Sequence, residues 1–183
     1  DKTQVSILKE MLQNAGAKVI DITLSQEEVI IFGNIHLTFK NDYKDFASAY
    51  GLPVKTLDDL IAFNNKEKDT NAKYGQDYLE EAAETETADY DEISKSIEKA
   101  ASVLDTAFTK HNLDGIAFLN STASTLPAAA GFPELTIPLG KDKSGVPQGA
   151  TLTLPAGEDE SLLKMGYSLQ EHTNGRTNPL TTP

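Results

Sequence analysis

Apolar positions recur along this chain with two periods, and the alternation between them predicts its elements. In residues 4–15, Val5, Leu8, Leu12 and Ala15 stand three or four apart, on one face of a helix. Gly16 follows where a helix-ending glycine belongs. Residues 17–24 then read as a strand, through Val19, Ile20, Ile22 and Leu24. Residues 26–49 return to the helical period with Phe32, Ile35, Phe39, Tyr43 and Phe46, until Gly51-Leu52-Pro53 breaks it. Thr56 reads as an N-cap, and Asp59 as the return arm of a capping box. The helix they open presents Leu57, Leu60 and Ile61 to a core. Residues 88–111 form a clear amphipathic helix, with Ile93, Ile97, Ala100, Leu104 and Phe108 on one side.

The remainder is richer in strands. Residues 113–119 read as a buried strand, followed by a loop of small residues over 120–131. Residues 135–139 and 149–154 are short strands, separated by a turn at Asp142-Lys143-Ser144-Gly145. Leu162, Met165 and Leu169 mark a last helix, and the tail from Thr173 is polar and Pro-bearing. The expected class is α/β, with helices packed on a mixed sheet. No internal repeat or domain break is evident, so residues 1–183 are expected to form a single domain.

Composition narrows the classes of function. Hydrophobic residues make up 39% and charged residues 24%, as in a soluble globular protein able to bury a core. No apolar run approaches the roughly 20 residues that span a bilayer. A net charge of -12, with Arg176 as the only Arg, argues against nucleic-acid binding and against bidentate clamps on phosphate or carboxylate. The absence of cysteine removes disulfides, thiolate catalysis and zinc-thiolate sites without fixing a compartment. No signal-like segment opens the chain, which favours the cytoplasm. Asp1 in place of Met reads as a fragment or a processed chain, which leaves room for a targeting segment upstream.

Candidate chemistry is sparse. His36, His111 and His172 lie on three separate expected helices without the i, i+4 pairing of a helical metal site, and no metal ligand is assigned. Residues 77–92 hold eight acidic and no basic residues, the pattern of a solvated face. Neither a Gly-x-Ser-x-Gly elbow nor a phosphate-binding glycine loop is present, and no cofactor is expected. The hydroxyl-rich loop after the strand ending at Leu119 has two readings. Asn120, Ser121, Thr122 and Ser124 could line a pocket beyond a strand C-terminus, hydrogen-bonding a polar substrate group. They could equally serve the loop's own backbone. A nucleophile at Ser121 or Ser124 lacks a general base nearby in sequence.

Longer stretches carry a family resemblance. Lys55-Thr56-Leu57-Asp58-Asp59-Leu60-Ile61-Ala62-Phe63-Asn64 and Tyr74-Gly75-Gln76-Asp77-Tyr78-Leu79-Glu80-Glu81-Ala82 are similar, in order and spacing, to two segments in the C-terminal half of amidase-signature enzymes. Leu113-Asp114-Gly115-Ile116-Ala117-Phe118 resembles the strand before that family's substrate-side loop. Ala129-Ala130-Gly131-Phe132-Pro133-Glu134-Leu135-Thr136-Ile137-Pro138-Leu139-Gly140 resembles its Ala-Gly-aromatic-Pro passage, and Gly145-Val146-Pro147-Gln148-Gly149 its turn into the next strand. Glu160 through Glu171 resembles the closing helix. Two departures stand out: Asn120-Ser121 replaces the usual Pro-Thr, and Leu154-Pro155-Ala156-Gly157 replaces an aromatic or glycine-containing turn.

The resemblance implies the C-terminal part of the amidase-signature fold, and hydrolysis of an amide C–N bond in the whole enzyme. The family's Ser nucleophile, its second Ser in a cis peptide and its Lys base lie in the N-terminal half, and no Gly-Gly-Ser-Ser-Gly-like stretch occurs here. No catalytic residue is therefore carried over, and the chain alone is expected to be inactive. Its implied partners are the N-terminal half of the amidase and a small-molecule amide. Self-association is expected where the missing half bares a sheet edge or apolar surface, at residues 19–24, at residues 135–139 and around Ala128-Ala129-Ala130. The alternative is a noncatalytic binding or interaction module that keeps this scaffold alone.

Overall fold

The computed structural model describes residues 2–24, 32–85, 90–173 and 175–178. Its elements run α1 (Lys2–Asn14), α2 (Phe32–Ala49), α3 (Leu57–Lys66), α4 (Lys68–Asn71), α5 (Asp77–Glu84), α6 (Tyr90–His111), β1 (Ile116–Leu119), α7 (Thr125–Ala130), β2 (Glu134–Lys141), β3 (Pro147–Thr153) and α8 (Asp159–Glu171). They fall into two compact units, one of residues 30–96 and one of residues 1–29 with 97–183.

In the unit of residues 30–96, α5 packs against α2 and α3. The expected capping box is present: the Asp59 N–H donates to Thr56 Oγ1 at 3.1 Å, and the Thr56 N–H to the Asp59 carboxylate at 3.2 Å. Ala47, Leu57, Ala82 and Ile93 are buried. On α2 Ala47 is buried, while Phe46, expected on the core face, is exposed and its ring lies 4.7 Å from that of Tyr50. The side chains of Phe32 and Ile35, and residues 26–31 of the expected helix, lie outside the described residues. Gln76 joins α3 to α5. Its Oε1 accepts from Asn64 Nδ2 at 3.0 Å, and its Nε2 donates to Asn65 Oδ1 and Glu80 Oε1, each at 2.9 Å. Both N–H groups and the oxygen of this buried amide are thereby engaged, which offsets most of the cost of burying it.

The other unit is built on a sheet of order β1-β3-β2. A mixed sheet was expected; the three strands are antiparallel throughout, because β2 and β3 are joined by a tight turn and β1 pairs with the far side of β3. The two faces of β3 differ. Ala150, Leu152 and Leu154 point to one face, where they meet Leu8 and Met11 of α1 and Leu162 and Leu169 of α8 in the main core. Gly166 lets α8 approach β2, since a Cβ there would lie 2.1 Å from the Leu135 side chain. Thr151 and Thr153 point to the opposite face, where the Thr136 and Thr151 hydroxyls hydrogen-bond at 2.7 Å. α6 contributes Ala100, Leu104, Ala107 and Phe108 to the buried set, whereas Ile97 is exposed.

α1 ends as its glycine foretells. Gly16 has φ +89°, the Ala17 N–H reaches the Leu12 carbonyl at 3.0 Å, and the Gly16 N–H reaches that of Gln13 at 2.9 Å. Two expectations are corrected. Residues 17–24, read as a strand, pair with no other strand among the described residues; alternation supplies the side-chain pattern of a strand but not the neighbour that makes one. The loop over 120–131 contains α7, whose Pro127 sits in the first turn, where a helix needs no N–H donor.

Candidate functional site

The loop leaving β1 is shaped by Asn120, a non-glycine residue in the left-handed region at φ 50°. Its N–H donates to the Gly149 carbonyl at 2.8 Å, continuing the β1–β3 ladder. The return bond is made by the side chain: the Gly149 N–H donates to Asn120 Oδ1 at 2.8 Å. The backbone carbonyl of Asn120 instead accepts from the Thr151 hydroxyl, and Asn120 Nδ2 donates to Gln148 Oε1 at 2.9 Å. Thr122 closes the turn, donating from Oγ1 to the Leu119 carbonyl at 2.8 Å. Asn120 and Thr122 are thus engaged with β3 and the end of β1. Ser121 is exposed.

Ser124 is placed differently. At the start of α7 its hydroxyl lies near enough to Glu134, the first residue of β2, to lower that carboxyl's pKa. Glu134 faces Thr153 across β2 and β3. Because Gly149 exchanges hydrogen bonds with the β1 side, Thr151 and Thr153, at even steps along β3, turn their backbone polar groups the same way. Toward β2 these are non-hydrogen-bonded pairs, the closer kind, with Cα atoms about 4.5 Å apart. Thr153 is fully buried, and neither its Oγ1 nor Glu134 Oε1 has a hydrogen-bond partner among the described residues. Burial raises the Glu134 pKa above its ordinary 4.5, and the nearby Ser124 hydroxyl pulls it partly back. No cation contributes to that balance.

Ser124, Glu134 and Thr153 therefore form the most distinctive polar site: a half-buried carboxyl, a buried hydroxyl and a second hydroxyl at the edge. Of the four expected pocket residues, only Ser124 belongs to it. Sequence reasoning missed Glu134 and Thr153, whose signal was the alternation Thr151-Leu152-Thr153-Leu154, a polar stripe interleaved with a core stripe. The histidines do not converge. His172 Nδ1 lies 2.7 Å from the Ser168 carbonyl, His111 is exposed at the end of α6, and the His36 side chain lies outside the described residues. No group of three or more His, Asp or Glu could hold a metal ion among the described residues. Of the acidic run, Asp77, Glu81, Glu84, Asp91 and Glu92 are exposed, and residues 86–89 lie outside the described set. A cleft of about 270 Å³, floored by Ile7, Met11 and Leu139 and edged by Glu10 and His172, lies apart from the Ser124 site. No described helix is long and apolar enough to cross a membrane.

No protein-family model matches the chain. A curated relative, a probable amidase of Arabidopsis thaliana, is 26% identical, and the match covers 92% of this chain but 36% of the relative. The structure of an amidase family protein from Bacillus anthracis superposes with a TM-score of 0.86 at 28% identity, over 95% of this chain and 36% of that one. Native peptide amidase from Stenotrophomonas maltophilia gives 0.81 at 24% identity, a likeness of fold, over 95% of this chain and 40% of that one. Along nearly its whole length, then, the chain is similar to part of amidase-family proteins, as its motifs indicated. It spans a little over a third of the curated relative.

Proposed function

We propose that this chain is the C-terminal part of an amidase-family hydrolase, supplying scaffold and substrate-pocket wall to a catalytic Ser-Ser-Lys set carried by the remainder of the protein. The observation that carries the reading is the pairing of a TM-score of 0.86 over 95% of this chain with coverage of only 36% of the matched one. A continuous match of that kind is what a piece of a larger enzyme gives. In the whole enzyme the Ser would attack the amide carbonyl, the nitrogen would leave with a proton, and water would release the acyl group. Residues 17–24 support the reading from another side: a strand-like apolar pattern without a partner strand is a ready place for a neighbouring segment to pair.

Co-expression with the segment encoded upstream of Asp1 tests the reading. The expected result is a complex by size-exclusion chromatography that hydrolyses small amides, with neither part active alone. Two parts that ignore each other at high concentration, or a complex without turnover, would favour a noncatalytic module instead.

A further inference from the structure

The helical period of α2 assigns Phe46 to a core, yet the structure turns it outward: Phe46 is 53% exposed and Tyr50, one turn on, 72%. Their rings lie 4.7 Å apart in a tilted stack, so the pair presents one aromatic surface. Ala47, next along the helix, makes the buried contact in their place. Large apolar side chains exposed together are the informative exception on a protein surface, because covering them with a partner is favourable. Asp42 stands one turn before Phe46, so helical spacing sets Asp42, Phe46 and Tyr50 in a row with about 5–6 Å between neighbouring Cβ atoms. Asp45 borders that row. Both aspartates are exposed, and neither carboxylate makes an ion pair or hydrogen bond among the described residues. Lys44 projects about 160° round the helix from Phe46. The Lys40 ammonium is committed to the Ala83 carbonyl at 2.7 Å. Residues 30–96 hold 14 acidic and 7 basic residues, none of them Arg, so the field around the rings favours a cation as well.

We propose that the face of α2 carrying Asp42, Asp45, Phe46 and Tyr50 is a docking surface for an arginine-bearing segment of another protein. A guanidinium uses both features of the face. Being flat, it stacks on the rings, while N–H groups at its edge donate to the aspartate carboxylates. An ammonium is a compact, strongly hydrated charge with no face to stack, and a neutral apolar segment leaves the carboxylates unpaired. The surface is independent of the amidase reading, and the Ser124 site belongs to the other unit.

The test is ¹H–¹⁵N NMR of the full chain, titrated separately with the peptide acetyl-Gly-Arg-Gly-Arg-Gly-amide and with its lysine and citrulline counterparts. Citrulline keeps the planar head and removes its charge. Saturable shifts at the amides of residues 42–50 are expected with the arginine peptide, binding at least about threefold weaker with lysine, and no saturable shift with citrulline. Phe46→Ser combined with Tyr50→Ser should weaken the arginine peptide about tenfold, the worth of two exposed cation–π contacts, with little change in melting temperature. Asp42→Asn combined with Asp45→Asn keeps the rings and should remove most of the salt dependence of binding. If the serine pair fails to fold, Phe46→Leu with Tyr50→Leu keeps the apolar bulk without the aromatic faces and should weaken binding alike. Arginine and lysine peptides that bind equally, and indifferently to loss of the rings, would mean an acidic surface alone, and the proposal falls. It falls too if no peptide shifts residues 42–50 saturably. Shifts there that follow chain concentration without peptide would assign the face to a second copy and overturn it as well.

Discussion

The side-chain carbonyl of Asn120, not its backbone carbonyl, accepts the N–H of Gly149 at 2.8 Å. The substitution becomes necessary because the left-handed backbone at Asn120 turns its own carbonyl toward Thr151. One side chain thus both permits the turn and completes the ladder. Asn120→Ala should cost about 1–3 kcal/mol for the buried, unpaired Gly149 N–H, and about 1–2 more for a left-handed alanine. Asn120→Gly should recover the second part only. Urea denaturation of both variants gives the comparison, and equal loss in the two would mean that backbone strain is absent.

Glu134 gives a pH dependence of defined sign. Burial raises its folded-state pKa above 4.5, so the folded chain binds its proton more tightly than the unfolded chain. Its contribution to stability is therefore most favourable below 4.5 and declines as pH rises through the folded-state pKa. Glu134→Gln removes the ionisation, so the variant should gain melting temperature relative to the natural chain as pH rises from 4 toward 7. A difference that stays flat with pH would contradict the burial of this carboxyl.

Gln76 offers a test in the unit of residues 30–96. Leucine at this position would fill similar space but leave Asn64, Asn65 and Glu80 without the bonds they make to the amide. Gln76→Leu should destabilise by about 1–3 kcal/mol. Gln76→Glu should be tolerated better at low pH than at neutral pH, since an ionised carboxylate would face Glu80. A leucine variant as stable as the natural chain would show that the network is dispensable.

What the sequence disclosed and what it hid divide along a physical line. Features that act within a few residues were legible: the Thr56–Asp59 box, the glycine after α1, and the helical stripe through Leu8 and Leu12. α7 escaped because Thr125, Pro127 and three alanines carry no amphipathic period, and Leu126 is its one large buried side chain. Residues 17–24 were read as a strand because alternation is local, whereas pairing is not. The site was half hidden for the same reason. Ser124 stood out in a run of hydroxyls, but Glu134 and Thr153 become neighbours only through the register of β2 on β3.

The loop serines are expected to be chemically inert in the isolated chain. A fluorophosphonate probe should label neither Ser121 nor Ser124, and no turnover of aliphatic, aromatic or glutamine amides should survive repurification. Turnover abolished by Ser121→Ala would assign the loop a nucleophile.

Gly175 lies so close to β2 that a Cβ there would stand 2.2 Å from the Pro138 carbonyl oxygen. Pro138 pairs with Gly149 in the same parity as the Thr pairs, so the N–H that proline lacks would have pointed outward from the sheet. The proline denies a donor to any strand approaching that edge, and the backbone around Gly175 occupies the space beside it. In proteolytic terms, the polar run after α8 is not a disposable tail. Limited tryptic digestion should cut after the exposed Arg176 before any bond on the helix side of the half-buried Gly175. A protease that trims the chain back to α8 would leave a product with an uncovered β2, prone to aggregate through the rest of that edge.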